Sequence, residues 1–181
     1  MSNTKLTITT HSGETVEAMA PVIISASRST DIPAFFAKWF INRLEAGYCV
    51  WYNPFNQKPS YVSFARCKVV VFWTKNPKPL IPLLHELDER GIRYYFQFTL
   101  NDYEKEGFDP NVPSVAQRIE TFKELSKKNR QRACHLAFRP ADSDGKSFAT
   151  STAHKDLSYR KRTERLYRQA GFQFYRRQGL S

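Results

Sequence analysis

Two kinds of segment alternate along the first 130 residues, and this alternation limits the fold more than any other feature of the sequence. Residues 21–25 and 68–73 are short runs rich in β-branched side chains, typical of strands buried on both faces. Residues 34–46 and 114–128 instead repeat apolar side chains at helical spacing. Strands that alternate with helices of this length predict βαβ units and a parallel sheet, in either barrel or doubly wound order.

Further elements complete the predicted α/β series. We expect strands at residues 48–52, 61–64 and 93–100 and a helix at residues 79–90. In the strand at 93–100, the alternation places Tyr95, Gln97 and Thr99 on one side and three aromatic rings on the other. Residues 1–20 are polar and are predicted to be a leader that precedes the domain.

Length and cysteine usage exclude several classes of protein. The 181 residues suit one domain, although a whole (β/α) barrel typically needs about 200 to 250 residues. The sequence has no apolar run of membrane-spanning length and no signal pattern at its start, so we expect a cytoplasmic protein with no membrane partner. The three cysteines, Cys49, Cys67 and Cys134, are too widely spaced to predict a disulfide framework or a metal site.

The net charge of +11 is concentrated in the last fifty residues. Residues 1–131 contain 17 Lys and Arg against 13 Asp and Glu, whereas residues 132–181 contain 11 against 4. Basic residues at 160–177 are interleaved with aromatic residues, a pattern that favours stacking on nucleic-acid bases. An alternative function is therefore nucleic-acid binding through this tail, and weak non-specific adsorption of nucleic acid is also expected.

Polar side chains lie at the predicted carboxyl ends of the strands, where α/β folds place their sites. The candidate substrate-binding residues are Arg28, Asp31, Asn53, Lys75, Asn76, Gln97 and Thr99. We expect the cations to hold an anion, the Asp and Asn side chains to orient the ligand, and the last two residues to face a pocket. The competing interpretation is that Asp31 is a helix cap and that the Asn-Pro pairs are turns.

No catalytic residue can be named from the sequence, and whether the chain is an enzyme stays open. It has no glycine-rich phosphate loop, no G-x-S-x-G motif and no H-E-x-x-H motif, and the four histidines lack the spacing of a metal site. A small α/β hydrolase or ligand-binding domain acting through Arg28, Asp31, Lys75 and Gln97 is a third interpretation, without an identifiable pair of nucleophile and base.

Four strings in the sequence carry a family resemblance. They are VIISASRSTDIPA at residues 22–34, YNPFN at 52–56, VFWTKNPKPL at 71–80, and YYFQFTL at 94–100 with PNVP at 110–113. Together they resemble the DUF1848 family, bacterial proteins of unknown function, over about residues 21–130.

The resemblance implies a radical-SAM-like protein: a partial parallel (β/α) barrel of the TIM type, with a cysteine cluster near the C-terminus. In an intact relative such a cluster would hold a 4Fe–4S centre that binds S-adenosylmethionine. This chain contains no C-x-x-x-C-x-x-C motif. We therefore expect it to carry no cofactor and to be catalytically inactive, with a small-molecule or macromolecular substrate that the sequence does not identify.

The family pattern stops near residue 132, which divides the chain into a domain at 21–132 and an irregular, non-family basic tail at 133–181. Codons can be chosen for residues 133–145 so that reading one base later gives a family-like strand, Val-Ile-Trp-Arg-Phe-Asp-Pro-Leu-Ile-Leu. The same offset through residues 164–177 permits a second strand. Our hypothesis is that a single-base shift near Arg132 truncated the family domain and left the tail out of frame.

Overall fold

The computed structural model of the protein describes residues 5–27, 29–100, 107, 110–128 and 134–136. These residues form two four-stranded sheets, one with the strand order β1-β2-β5-β4 and one with the order β3-β6-β7-β8. The strands are β1 (Lys5–Thr9), β2 (Thr15–Met19), β3 (Ile23–Ser25), β4 (Tyr48–Tyr52), β5 (Pro59–Ser63), β6 (Val69–Thr74), β7 (Arg93–Phe98) and β8 (Cys134–Leu136).

Along the sequence, helices follow the parallel strands β3, β6 and β7. They are α1 (Ile32–Phe35), α2 (Ala37–Glu45), a 3-10 helix (Ile81–Leu83), α3 (His85–Glu89) and α4 (Val115–Lys128). The helix predicted at residues 34–46 is interrupted at Phe36, which ends α1 and begins α2 with a φ of −129°. The helix predicted at residues 79–90 is divided into the 3-10 helix and α3, and at the junction the Leu84 N–H donates to the Ile81 carbonyl oxygen three residues back, as in a 3-10 turn.

The main core lies where one face of the parallel sheet packs against the helices. Alternate residues of β6 and β7, including Val70, Phe72 and Phe96, are fully buried on this face. Phe72 stacks on Phe96 with ring centroids 5.1 Å apart, and Phe40 of α2 meets Phe72 edge-on at 5.3 Å. Such aromatic pairs add specific packing to the apolar area that they bury.

The predicted partial (β/α) barrel is wrong for the residues that the structure describes. The four parallel strands β3, β6, β7 and β8 form an open sheet, and no closed barrel is present among the described residues. The strand predicted at residues 48–52 does not join this sheet. As β4 it pairs antiparallel with β5, because the six residues between Tyr52 and Pro59 are enough for a hairpin turn but too few for a parallel crossover. The α/β class itself agrees with the structure.

The first sheet begins with residues that the sequence analysis treated as a polar leader. Strands β1 and β2 form an antiparallel hairpin, and β2 then pairs in parallel with β5. Leu6 and Ile8 are half-buried in β1 and Ala18 is buried in β2, with exposed residues between them. This period of two is the pattern of a sheet with one covered face.

The predicted tail is mostly outside the described residues. Within residues 133–181 the structure describes only Cys134–Leu136, which extend the parallel sheet as β8 beside β7. The irregular tail, the basic and aromatic segment at 160–177 and the hypothesis of a shifted frame therefore stay predictions. Within the described part of the chain, no helix is both long enough and apolar enough to cross a bilayer.

Candidate functional site

The loop after β3 is hydrogen-bonded at one end to the middle of β6 and at the other to the residue that follows β6. The Ala26 N–H donates to the carbonyl oxygen of Val71 at 2.9 Å. At the other end of the loop, Oδ2 of Asp31 accepts a hydrogen bond from the Lys75 N–H at 2.8 Å, while Oδ1 accepts from the Ala34 N–H at 3.0 Å and caps α1. Asp31 therefore holds the first two loops at the carboxyl edge of the parallel sheet together.

The loop after β6 is also held by hydrogen bonds close to the sheet. The buried Thr74 hydroxyl accepts from the Asn76 N–H at 3.0 Å, and Oδ1 of Asn76 accepts from the Lys78 N–H at 3.3 Å. The Thr99 N–H donates to the carbonyl oxygen of Thr74 at 2.9 Å. These bonds bring Lys75, Asn76 and Thr99 to the same edge of the sheet as Asp31.

The face of the parallel sheet opposite the core carries mixed polar and aromatic side chains. The predicted alternation in β7 is present, because Tyr94, Phe96 and Phe98 are buried while Tyr95 and Gln97 are only partly buried. Gln97 is the register partner of Trp73, whose side chain is 42% exposed. This face is less covered than a parallel sheet usually is, so its polar residues are accessible next to the carboxyl edge.

Two predicted site residues are not placed with the others. Asn53 follows β4 in the first sheet, where its Oδ1 accepts from the Phe55 N–H at 2.9 Å and its N–H donates to the Lys58 carbonyl oxygen at 3.1 Å. It thus shapes the turn between β4 and β5, as the turn interpretation of the Asn-Pro pair expects. Arg28 lies outside the described residues.

Sequence reasoning missed Ser27, which lies in the loop fastened by Asp31. Its side chain is buried, and its hydroxyl oxygen has no hydrogen-bond partner among the described residues. No sequence signal separates it from its neighbours, because Ser25, Ser27 and Ser29 alternate in one polar string and only the fold decides which of them is buried.

Cys49 and Cys67 do not fit the iron–sulfur centre that the family resemblance implies. Burial raises the pKa of both the Cys49 and the Cys67 thiol, whereas a cluster requires thiolates. Cys67 is buried, and its thiol donates to the Val69 carbonyl oxygen at 3.6 Å. Cys49 lies on β4 in the other sheet. Within the described ranges, no group of three or more His, Cys, Asp or Glu side chains could hold a metal ion.

Comparison with known families tests the family resemblance that the four sequence strings suggested. The model of a family described as a domain of unknown function, DUF1848, matches residues 23–155. The chain belongs to the DUF1848 family. No curated protein and no solved structure matches the chain.

The segment matched by the DUF1848 model contains the candidate site. It includes β3, β6 and β7 with both fastened loops, and it leaves out the hairpin of β1 and β2. The match also extends beyond residue 130, where the resemblance of the strings ends, and takes in β8.

Proposed function

We propose that this DUF1848 protein binds a small anionic ligand at the carboxyl edge of its parallel sheet and performs no radical chemistry of its own. In this proposal it is a radical-SAM-like protein that lacks the iron–sulfur centre and is catalytically inactive. The observation that carries the proposal is the hydrogen bond from the Lys75 N–H to Asp31, which holds the loops after β3 and β6 at one edge.

Parallel sheets favour ligand binding at this edge because loops from neighbouring strands meet there while the strands remain rigid. Lys75 would supply the positive charge and Gln97 and Thr99 would supply hydrogen bonds. The amide oxygen of Asn76 is engaged by the Lys78 N–H, so its NH₂ group is the part that would reach a ligand. Asp31 acts as a positioning residue, since both of its carboxylate oxygens accept from main-chain N–H groups.

The charge of the surrounding chain favours an anion over a cation. Residues 46–85, which include β6 and the loop after it, contain five Lys or Arg and no Asp or Glu. One of these cations, Lys75, directly follows β6 at the proposed site, and Lys78 lies three residues further along the loop. The negative charge of Asp31 is stabilised by the two N–H groups that it accepts from, so it opposes an approaching anion less than an unpaired carboxylate would.

The ligand proposal is tested by thermal unfolding in sodium phosphate and in sodium acetate, each compared with sodium chloride at equal ionic strength. Phosphate or acetate that binds the folded state raises the melting temperature as its concentration rises. Lys75→Ala should lose this rise, whereas Lys78→Ala, which removes the same charge three residues away, should keep it. Equal behaviour of the two variants would indicate general attraction to a basic protein, and no rise in the wild type would overturn the proposal.

The absence of radical chemistry has its own test. After anaerobic incubation with ferrous iron and sulfide, followed by desalting, we expect the protein to retain no stoichiometric iron. It should also release no 5′-deoxyadenosine from S-adenosylmethionine and dithionite. Retention of about four iron atoms per chain would contradict the proposal.

The two other functions expected from sequence stay predictions. Nucleic-acid binding through residues 160–177 concerns a segment outside the described residues, and a steep loss of affinity with added salt is its test. For the hydrolase interpretation, the carboxylate of Asp31 is engaged by two main-chain N–H groups. That engagement favours a positioning role for Asp31 over that of a general base.

A further inference from the structure

Trp73 of β6 lies on the open face of the parallel sheet, which is the face opposite the main core. Burial alternates along this strand, with Phe72 and Thr74 buried and Trp73 42% exposed between them. Successive side chains of a strand point to opposite faces, so the indole of Trp73 is on the side away from the buried Phe72 ring. Trp73 is the fifth of the six residues of β6, and its accessible surface is therefore next to the carboxyl edge.

Three polar residues of the proposed site lie around Trp73 on this face. Gln97 is its register partner on β7, and paired residues of neighbouring strands are about 5 Å apart. Lys75 and Thr99 each follow two residues later and are partly buried, whereas Thr74 between Trp73 and Lys75 is buried. The hydrogen bond from the Thr99 N–H to the Thr74 carbonyl oxygen, at 2.9 Å, continues the pairing of the two strands at this end. An aromatic ring, an amide, an ammonium group and a hydroxyl thus share one corner of the open face.

The charge of the open face favours an anion. Its other residues in β3, β6 and β7 are Ile23, Ser25, Val69, Val71, Arg93 and Tyr95. None of these described residues is acidic, Arg93 adds one cation on the face, and Lys75 adds a second one at the edge. An anion that enters over Trp73 therefore meets no carboxylate on the described strands of this face.

We propose that the ligand of this edge is a planar ring that carries the anionic group, with the ring stacked on Trp73 and the charge held by Lys75. The proposal rests on the proposed function and adds a ligand class and a contact residue to it. Stacking of planar rings is favourable beyond the apolar area that it buries. The amide of Gln97 beside the ring has both donors and an acceptor for polar atoms at the ring edge. An inorganic anion would use Lys75 but leave the exposed surface of Trp73 uncovered.

Calorimetric titration of the full chain tests the ligand class. It compares inorganic phosphate with phenyl phosphate and cyclohexyl phosphate, and acetate with phenylacetate and cyclohexylacetate. For each parent anion that binds, the phenyl derivative should bind about tenfold more tightly, as expected for one stacked ring. The cyclohexyl derivative has a similar size but is not planar, so it should bind at least about threefold more weakly than the phenyl derivative.

Two tryptophan variants separate stacking on Trp73 from general adsorption of apolar anions. In Trp73→Leu the difference in affinity between the phenyl derivative and its parent anion should disappear. Trp51→Leu is the matched control, because Trp51 is 43% exposed but belongs to β4 in the other sheet. It should keep the full preference for the phenyl derivative.

The outcomes distinguish this proposal from the function on which it rests. If neither the parent anions nor their phenyl derivatives bind, the proposed function fails. If a parent anion binds but its phenyl derivative binds no more tightly, the anion site is supported and the ring proposal is overturned. Retention of the phenyl preference in Trp73→Leu, or its loss in Trp51→Leu, also overturns the ring proposal.

Two further measurements keep the proposal falsifiable whatever the variants do. The comparison of phenyl with cyclohexyl derivatives uses the wild type alone, so equal binding of the two overturns stacking even if Trp73→Leu fails to fold. Analytical ultracentrifugation then tests whether a second copy of the chain covers the open face. A wild-type dimer that dissociates in Trp73→Leu would place Trp73 in a subunit interface and overturn its role in binding the ligand.

Discussion

The Asp31 carboxylate and the main-chain N–H of Lys75 are 2.8 Å apart although 44 residues separate them in the sequence. The other carboxylate oxygen of Asp31 caps α1 through the Ala34 N–H at 3.0 Å. One side chain thus ends the first βα loop and fixes it to the second. Because backbone N–H groups do not move independently of their strands, this arrangement sets the separation of the two loops more firmly than a contact between two long side chains would.

Replacing Asp31 tests this arrangement. Asp31→Ala should lower the free energy of unfolding by about 2 kcal/mol, because it removes a helix cap and leaves the Lys75 N–H without its acceptor. Asp31→Asn should cost less, since the amide oxygen can still accept one of the two bonds. Urea unfolding followed by circular dichroism measures both. Thr30→Ala, an exposed neighbour, is the control and should stay within about 0.5 kcal/mol of the wild type.

If Asp31 mainly positions Lys75, the same variants should also weaken anion binding. The rise in melting temperature with phosphate should be smallest in Asp31→Ala, intermediate in Asp31→Asn and unchanged in Thr30→Ala. An Asp31→Ala protein that is destabilised but binds phosphate as tightly as the wild type would show that the hydrogen bond to the Lys75 N–H serves folding alone.

Phe72 and Phe55 allow the same substitution to be compared in opposite environments. Phe72 is fully buried between Phe40 and Phe96, whereas Phe55 is 95% exposed in the turn after β4. Phe72→Ala should reduce the free energy of unfolding by roughly 3 to 5 kcal/mol, and Phe55→Ala should change it by less than about 0.5 kcal/mol. Chemical denaturation checks both values. A large loss of stability in Phe55→Ala would reveal that this ring is covered in solution.

The sequence predicted the local elements better than their arrangement. The apolar run of β6 and the alternation in β7 predicted both strands, and the alternation placed Gln97 and Tyr95 on one side of β7. It wrongly assigned β4 to the parallel sheet, since a strand that enters an antiparallel hairpin and one that enters a crossover can have the same composition. The interruption at Phe36 was also missed, because the apolar spacing continues through it.

The candidate site was predictable as a set of residue types and less so as geometry. Asp31 and Lys75 were identified separately, but the bond that joins them depends on the pairing of β3 with β6, which no local pattern contains. The prediction of Asn53 as a site residue depended on a parallel β4, whereas β4 pairs antiparallel with β5. Ser27 was left out because burial of one serine in a polar string is a tertiary property.

The thiol of Cys67 provides a prediction about reactivity. Burial raises the pKa of this thiol, and the thiolate is the form that reacts with alkylating reagents. Iodoacetamide at neutral pH should therefore modify Cys67 at least about tenfold more slowly in the folded protein than in urea, with the rate read from the peptide mass spectrum. Free Cys added to the same solution is the control for the reagent. Equal rates in the folded and unfolded protein would place Cys67 in an accessible, activated setting and reopen the question of a metal ligand.

Glu86 on α3 and Arg90 directly after it form an ion pair, and this pair should make the stability depend on pH. Nη1 of Arg90 donates to Oε2 of Glu86 at 2.6 Å, and this hydrogen bond lowers the pKa of the Glu86 carboxyl. A lowered folded-state pKa contributes stability above the ordinary glutamate value of about 4.3, and that contribution is lost as the pH falls through the folded-state value.

Glu86→Gln should therefore be less stable than the wild type near neutral pH, and the difference should shrink as the solution is acidified below the ordinary carboxyl range. Urea unfolding of both proteins across this range measures it. Glu89→Gln is the matched control, because Glu89 lies on the exposed side of the same helix and no ion pair involving it is found among the described residues. A stability difference for Glu86→Gln that stays constant with pH would show that the effect comes from uncharged contacts of the side chain. The charge attraction between the Glu86 carboxylate and the Arg90 guanidinium is lost when the carboxylate is protonated, so its contribution must change with pH.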